Sequence, residues 1–208
     1  MSETSMTLLN RLQRTDDPET WDRLVRLYEP LFTIWLRKYD VQSSDADDLV
    51  QDVLMAVAKD LKSFDHNGRT GAFRTWLRAI MVNRLRNFWR AQGRRPRAQG
   101  DSEIDHRLSQ LEDPASEMSQ LWNRQHDRHI AQQLLALSQP LFAPATWTAF
   151  SRVAIDGERP DVVARELGIS VNSVFIAKSR VLSRLRQDAD GLVEASSDFP
   201  AKSRKKSD

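Results

Sequence analysis

Residues 160–185, PDVVARELGISVNSVFIAKSRVLSRL, restrict the fold more than any other part of the chain. Pro160 suits the first turn of a helix, where its fixed φ is helical and its missing N–H would have had no partner. Val163, Ala164 and Leu167 give that helix a buried side. Gly168 supplies the left-handed residue that ends it, Ile169 plugs the turn, and Ser170 can cap a second helix. Ala164, four before Gly168, is small enough to let two helices approach. Val174, six after Gly168, fits the angle between them. Three spacing requirements of a helix-turn-helix are met at once. Ala177, Val181 and Leu185 continue the buried side of the second helix, leaving Asn172, Phe175, Ile176, Ser179, Arg180, Ser183 and Arg186 outward. An outward Phe and Ile suit thymine methyls better than water. The same spacing also permits a helical hairpin that never meets DNA.

The rest of the chain reads as helix too. It has seven glycines and long runs with apolar residues three and four apart, which point to an all-α protein. Leu8, Leu9 and Leu12 suggest a short opening helix, and Asp16, Asp17 and Pro18 start a second. Trp21, Leu24, Val25, Leu27 and Tyr28 form its stripe. Pro30 predicts a kink or short break before the run resumes through Phe32, Ile34, Trp35 and Leu36. Leu49, Val53, Val57 and Leu61 define the next helix, with Asp45, Asp48 and Asp52 on its opposite side. By itself that acidic side reads as a solvated, dipole-matched face.

Charge is sorted along the chain. Residues 66–100 hold nine arginines and no Asp or Glu, although the whole chain carries a net charge of only +2. Phe73, Trp76, Phe88 and Trp89 are interleaved with them, and cations beside flat rings suit a nucleic-acid backbone and unstacked bases. Phe73, Trp76, Leu77, Ile80, Met81 and Phe88 form the predicted buried side of a helix ending near Arg90. Asn83, Arg86 and Arg90 fall on another face, with Trp89 at its margin. Asp101 to Glu117 inverts the charge, with six acids against one arginine, and reads as a linker with at most a helical turn or two. Helical spacing returns from Met118 to Leu137, and Pro140 and Pro144 break it. His126 and His129, three apart, read as surface residues.

The chain has no cysteine, which excludes disulfides and thiolate metal sites and suits a reducing compartment. No apolar run approaches the roughly 20 residues of a membrane span, and the opening residues lack a signal-peptide pattern. The expectation is a soluble, cytoplasmic protein without membrane insertion. No nucleophile with a base, acid–base dyad or phosphate-cradling glycine loop is evident, so no catalytic residues, metal or cofactor are expected. Two rival readings remain open: an autonomous helix-turn-helix transcriptional regulator, and a nuclease using Asp45, Asp48 and Asp52 around a divalent metal.

Three segments in this order, DADDLVQDVLMAV, FRTWLRAIMVNRLRNFWRAQGRR and ELGISVNSVFIAKSRVLSRLR, resemble the sigma-70 family of bacterial RNA polymerase initiation factors, in the small extracytoplasmic-function (ECF) type. The resemblance implies two small helical domains joined by an acidic linker: a region 2 domain over 1–97, the linker over 98–120, a region 4 domain with the helix-turn-helix over 121–190, and a disordered basic tail over 191–208. It assigns Asp45, Asp48, Gln51 and Asp52 to docking on core RNA polymerase, through the beta prime coiled coil, with the beta flap as a second polymerase contact. It assigns Asn67, Arg69, Asn83, Arg86, Trp89, Arg90, Arg94 and Arg95 to recognition and melting of the promoter's minus-10 element, the loop 65–72 receiving a flipped base. It assigns Asn172, Ser173, Phe175, Ile176, Ser179, Arg180 and Arg184 to the minus-35 element. An anti-sigma protein is a further candidate partner. Phe175, Ile176 and Ala177 stand where many members carry a basic residue, and Asn87 where an Asp is frequent.

Overall fold

The computed structural model of the protein describes residues 7–15, 17–65, 71–93 and 101–193. These residues form α-helices linked by turns, with no strand among them. Helix α1, Leu8–Arg14, is capped by the Thr7 hydroxyl, which accepts from the Asn10 N–H at 3.2 Å, and buries Leu8, Leu9 and Leu12. Helix α2, Pro18–Arg37, opens as the sequence predicts, with Pro18 in the first turn and the Asp17 carboxylate accepting from the Glu19 N–H. There is no break at Pro30, and helix α2 continues through it. Pro30 faces solvent, where water can take the carbonyl that proline leaves without a donor. Helix α3, Ser43–Asp60, and helix α4, Ala72–Gly93, complete the amino-terminal half.

Packing among these three long helices follows the apolar stripes. Leu24, Leu27, Tyr28, Leu31, Phe32 and Trp35 of α2 meet Leu49, Val53 and Val57 of α3 and Phe73, Leu77, Met81 and Leu85 of α4. Phe64, shortly after α3, closes one end of this core, lying 5.4 Å from the Phe73 ring and 4.9 Å from Trp76.

Helix formation extends further than the acidic composition of 101–117 suggests. Asp101–Glu112 is a full helix, α5, burying Leu108 and Leu111 against the common core. Those two leucines, three apart, supply the apolar edge that turns a polar segment into a packed helix. The turn Asp113–Ser116 leads into α6, Glu117–Ser138, whose cap Ser116 accepts from the Ser119 N–H at 3.0 Å. Helix α7, Pro144–Phe150, continues into one wide π turn, Ser151–Ile155. Helices α8, Pro160–Leu167, and α9, Val171–Ala189, follow.

The two halves of the chain share a core. One contiguous buried cluster runs from Leu8 to Leu192, and only the helix-turn-helix keeps a small core of its own, built from Ala149, Val163, Ala164, Val174 and Ala177. Helix α6 joins them. Its Trp122 is fully buried and meets Trp35 of α2 edge-on at 5.0 Å, while Ile130 and Leu134, further along, share a core with Val181 and Leu185 of α9.

Candidate nucleic-acid and protein interfaces

The helix-turn-helix forms from the residues that specify it. Gly168 sits at φ 66° and ψ 30°, the left-handed conformation that a side chain disfavours, and ends α8. The Ile169 N–H then donates back to the Ala164 carbonyl at 3.0 Å. Ser170 caps α9 by accepting from the Ser173 N–H at 3.0 Å. Val163, Ala164, Val174 and Ala177 fill the angle between the helices. Arg152 braces the motif from the π turn, donating to Glu158 and to Glu166 at 2.5 Å each.

The outer side of α9 carries Asn172, Phe175, Ile176, Ser179 and Arg180, all exposed, with Phe175 at 52% and Ile176 at 50%. Ser173 is exposed too, but its hydroxyl lies 2.8 Å from the capping Ser170 hydroxyl. Arg184 is half-buried and its Nε donates to Asp188 at 2.9 Å, which ties it to its own helix.

On α3, Asp48, Gln51 and Asp52 are exposed, and Asp45 is half-buried in the first turn. Met55, 61% exposed, continues this face one turn on, a residue the charge pattern alone did not mark. A long apolar side chain in water beside three polar ones gives the patch an apolar end, a combination that protein interfaces use.

Helix α4 divides its arginines between two environments. Asn83 and Arg90 are exposed, and Arg90 donates to the Asn87 side chain at 2.8 Å. Arg86 makes a two-pronged pair with Glu112 of α5, at 2.5 and 2.6 Å, and that pairing holds its pKa above the ordinary arginine value. Trp89 is half-buried against the core beside Phe88, at 5.1 Å, so less of its ring faces outward than the helical wheel suggested. Asn67, Arg69, Arg94 and Arg95 lie outside the described residues.

Arg74 and Arg78 are almost fully buried. Arg74 donates to Asp127 of α6 at 2.6 Å, and Arg78 donates to the Ser119 hydroxyl. Burial, reinforced by the neighbouring Arg74 cation, pushes the Arg78 pKa down.

His126 is also buried, not at the surface as its sequence context suggested. Its Nδ1 lies 2.8 Å from an Asp127 carboxylate oxygen and its Nε2 lies 3.3 Å from the Tyr28 hydroxyl. A carboxylate can only accept, so Nδ1 donates to it and Nε2 accepts from Tyr28. Burial lowers the His126 pKa, and the neighbouring Asp127 offsets only part of that. Among the described residues no group of three or more His, Cys, Asp or Glu could hold a metal ion. No described helix is long and apolar enough to cross a membrane.

An exposed acidic face on α3, a basic and aromatic α4 after it, and a helix-turn-helix towards the other end are the candidate surfaces of an all-helical fold. Residues 24–95, from α2 through α4, match the sigma-70 region 2 family. The chain is similar to the ECF RNA polymerase sigma-E factor of Escherichia coli, 37% identical over 98 residues, which is 46% of this chain and 49% of that protein. Similarity to the sigma-E factor of Haemophilus influenzae is 36% over 93 residues, 45% of this chain and 47% of that one. The Salmonella typhimurium factor matches at 37% over 98 residues. The chain spans about half the length of the curated relatives it matches.

Proposed function

We propose that this protein is an ECF-type transcription initiation factor that binds core RNA polymerase in the cytoplasm and directs it to promoter DNA. One observation carries the reading: the region 2 match covers both the acidic face of α3 and the basic helix α4. The chemistry then divides between surfaces. Asp48, Gln51 and Asp52, with Asp45 at the helix start and Met55 one turn beyond, dock on the polymerase's beta prime coiled coil. Asn83, Arg86 and Arg90 hold the displaced strand at the minus-10 element while Trp89 offers an edge for stacking. Asn172, Phe175, Ile176, Ser179 and Arg180 of α9 read the minus-35 element in the major groove. No covalent step belongs to this chain; binding energy favours the open strands and the polymerase performs the chemistry.

Reversing one charge tests it. Asp52→Arg sits on a solvated face, so the variant should fold normally yet lose association with core polymerase and sequence-specific single-round transcription. Unchanged affinity for core removes α3 from the polymerase interface. Transcription from a promoter library by core enzyme that does not change when the wild-type chain is added removes the function itself.

A further inference from the structure

The outward side of α9 is apolar where a solvated helix is ordinarily polar. Six large apolar side chains stand exposed among the described residues, and three of them, Val171, Phe175 and Ile176, lie within the first two turns of this one helix. The helix does not need them for its own packing. Val174 and Ala177 already supply an inward side that fills the angle with α8, so the outward strip is apolar for a contact made elsewhere.

Charge identifies that contact. Residues 171–187 hold Lys178, Arg180, Arg184 and Arg186 and no Asp or Glu, and a basic helix is drawn to a polyanion. Duplex DNA offers such charge together with one apolar feature in its major groove, the 5-methyl group of thymine.

The polar groups of the same helix divide between bracing and reading. The Ser173 hydroxyl lies 2.8 Å from the capping Ser170 hydroxyl, and Arg184 is tied to Asp188. Both brace. Asn172 is exposed, and its amide matches the N6 donor and N7 acceptor of adenine. From Asn172 to Arg180 is about 12 Å at the helical rise, or about three to four base-pair steps, and Phe175 and Ile176 hold the middle of that span. Guanine or cytosine placed there would press O6, N7 or N4 against hydrocarbon and lose the water that satisfies them. Thymine presents a methyl group, whose burial is favourable.

We infer that α9 reads thymine methyl groups: Phe175 and Ile176 pack on the 5-methyls of neighbouring A·T pairs, Asn172 holds an adenine edge beside them, and the centre of the minus-35 element is A·T. The inference rests on the reading of α9 as the minus-35 helix and adds what that helix selects. Arg180, one turn beyond Ile176, meets the phosphate backbone and carries no base preference.

Replacing thymine with deoxyuridine removes the methyl and leaves every hydrogen-bonding group in place, so it isolates the claim. Promoter-length duplexes of random sequence are selected twice, by the full-length chain alone and by the chain with core RNA polymerase. The enriched element is then resynthesised with deoxyuridine for thymine, and affinity is read by fluorescence anisotropy. The element should hold A·T pairs at its centre, and each central methyl removed should weaken binding about threefold, the scale of one methyl group withdrawn from an apolar contact. The double variant Phe175→Ala with Ile176→Ala should bind thymine and deoxyuridine duplexes alike, and because both side chains are exposed its circular dichroism should match wild type. Equal binding of the two duplexes by the wild-type chain, G·C pairs at the selected centre, or a double variant that still separates the duplexes overturns the inference. The initiation reading fails separately. Methyl-dependent binding by the chain with no gain in transcription when it joins core polymerase keeps the inference and removes the function; core-dependent transcription from elements indifferent to the methyl does the reverse. No sequence enriched in either selection overturns both.

Discussion

Replacing Trp122 with alanine measures how firmly α6 is seated. The side chain is fully buried, 5.0 Å edge-on from Trp35 and 6.2 Å from the His126 ring. Removing a buried indole typically costs about 3–5 kcal/mol, the transfer energy of the lost surface plus the cavity left behind. Against a typical total stability of about 5–15 kcal/mol, that is a large fraction, and it falls where the first half of α6 meets α2. The loss should therefore appear in two places. Urea unfolding followed by far-UV circular dichroism should show the midpoint falling, and backbone amides of α5 and α6 should exchange faster than those of α2 and α3, because local opening becomes cheaper than global unfolding. Trp35→Ala should destabilise the whole helical core. A double-mutant cycle between the two should return a coupling of about 0.5–1.5 kcal/mol, as for other aromatic pairs in contact. Trp122→Ala with a loss under about 1 kcal/mol and unchanged exchange in α6 would refute the seating of this helix in the amino-terminal core.

Three further perturbations have definite signs. Gly168→Ala finds open space around its new Cβ but a φ of +66°, so it should cost about 1–2 kcal/mol from backbone conformation alone, read as a shifted urea midpoint; an unshifted midpoint contradicts the left-handed turn. Asp188→Asn keeps the shape but leaves Arg23, whose side chain is 17% exposed, without its carboxylate; a loss of about 1–3 kcal/mol is expected, and wild-type stability would show that this pair does not hold α9 to α2. His126 and His129 both have pKa values lowered by burial. Their neutral forms are favoured in the folded state, so stability is complete above the unfolded value near pH 6.5 and declines as the pH falls below it, by at most about 1.4 kcal/mol per pH unit for each group. The double variant His126→Gln with His129→Gln should flatten the midpoint between about pH 6.5 and 5.5; an unaltered slope there assigns the pH dependence to other groups.

Local structure was legible wherever a residue type has one dominant backbone use. Gly168, Ser170, Ala164 and Val174 announce the turn and its packing because each satisfies a different steric or hydrogen-bonding need at a fixed offset. The stripes of α2 and α3 were legible for the same reason, since a 3.6-residue period leaves few alternatives. Placement of the arginines was not. Arg74, Arg78 and Arg86 are chemically identical in the sequence, and only the arrival of Asp127, Ser119 and Glu112 from distant positions separates the two buried cations from the half-exposed one. His126 misled for a related cause: its partners Tyr28 and Asp127 lie on two helices, and the period of α6 alone cannot reveal that Tyr28 awaits it. The acidic run hid α5 because two leucines are too few to signal a helix until a groove exists to receive them.

Helix α6 is unbroken for 22 residues, about 33 Å at the α-helical rise. Its first half is seated beside α2 and its second half beside α9, so it works as a gear shaft between them: neither end can turn without turning the other. It begins at the short Asp113–Ser116 turn. A tilt of about 20° there would carry the far end of such a rod through roughly 11 Å, several times the reach of a hydrogen bond. A loosening too small to unfold anything near Trp122 is therefore large where the helix-turn-helix is carried. The spacing between α4 and α9 is thus sensitive to how α6 is seated around Trp122.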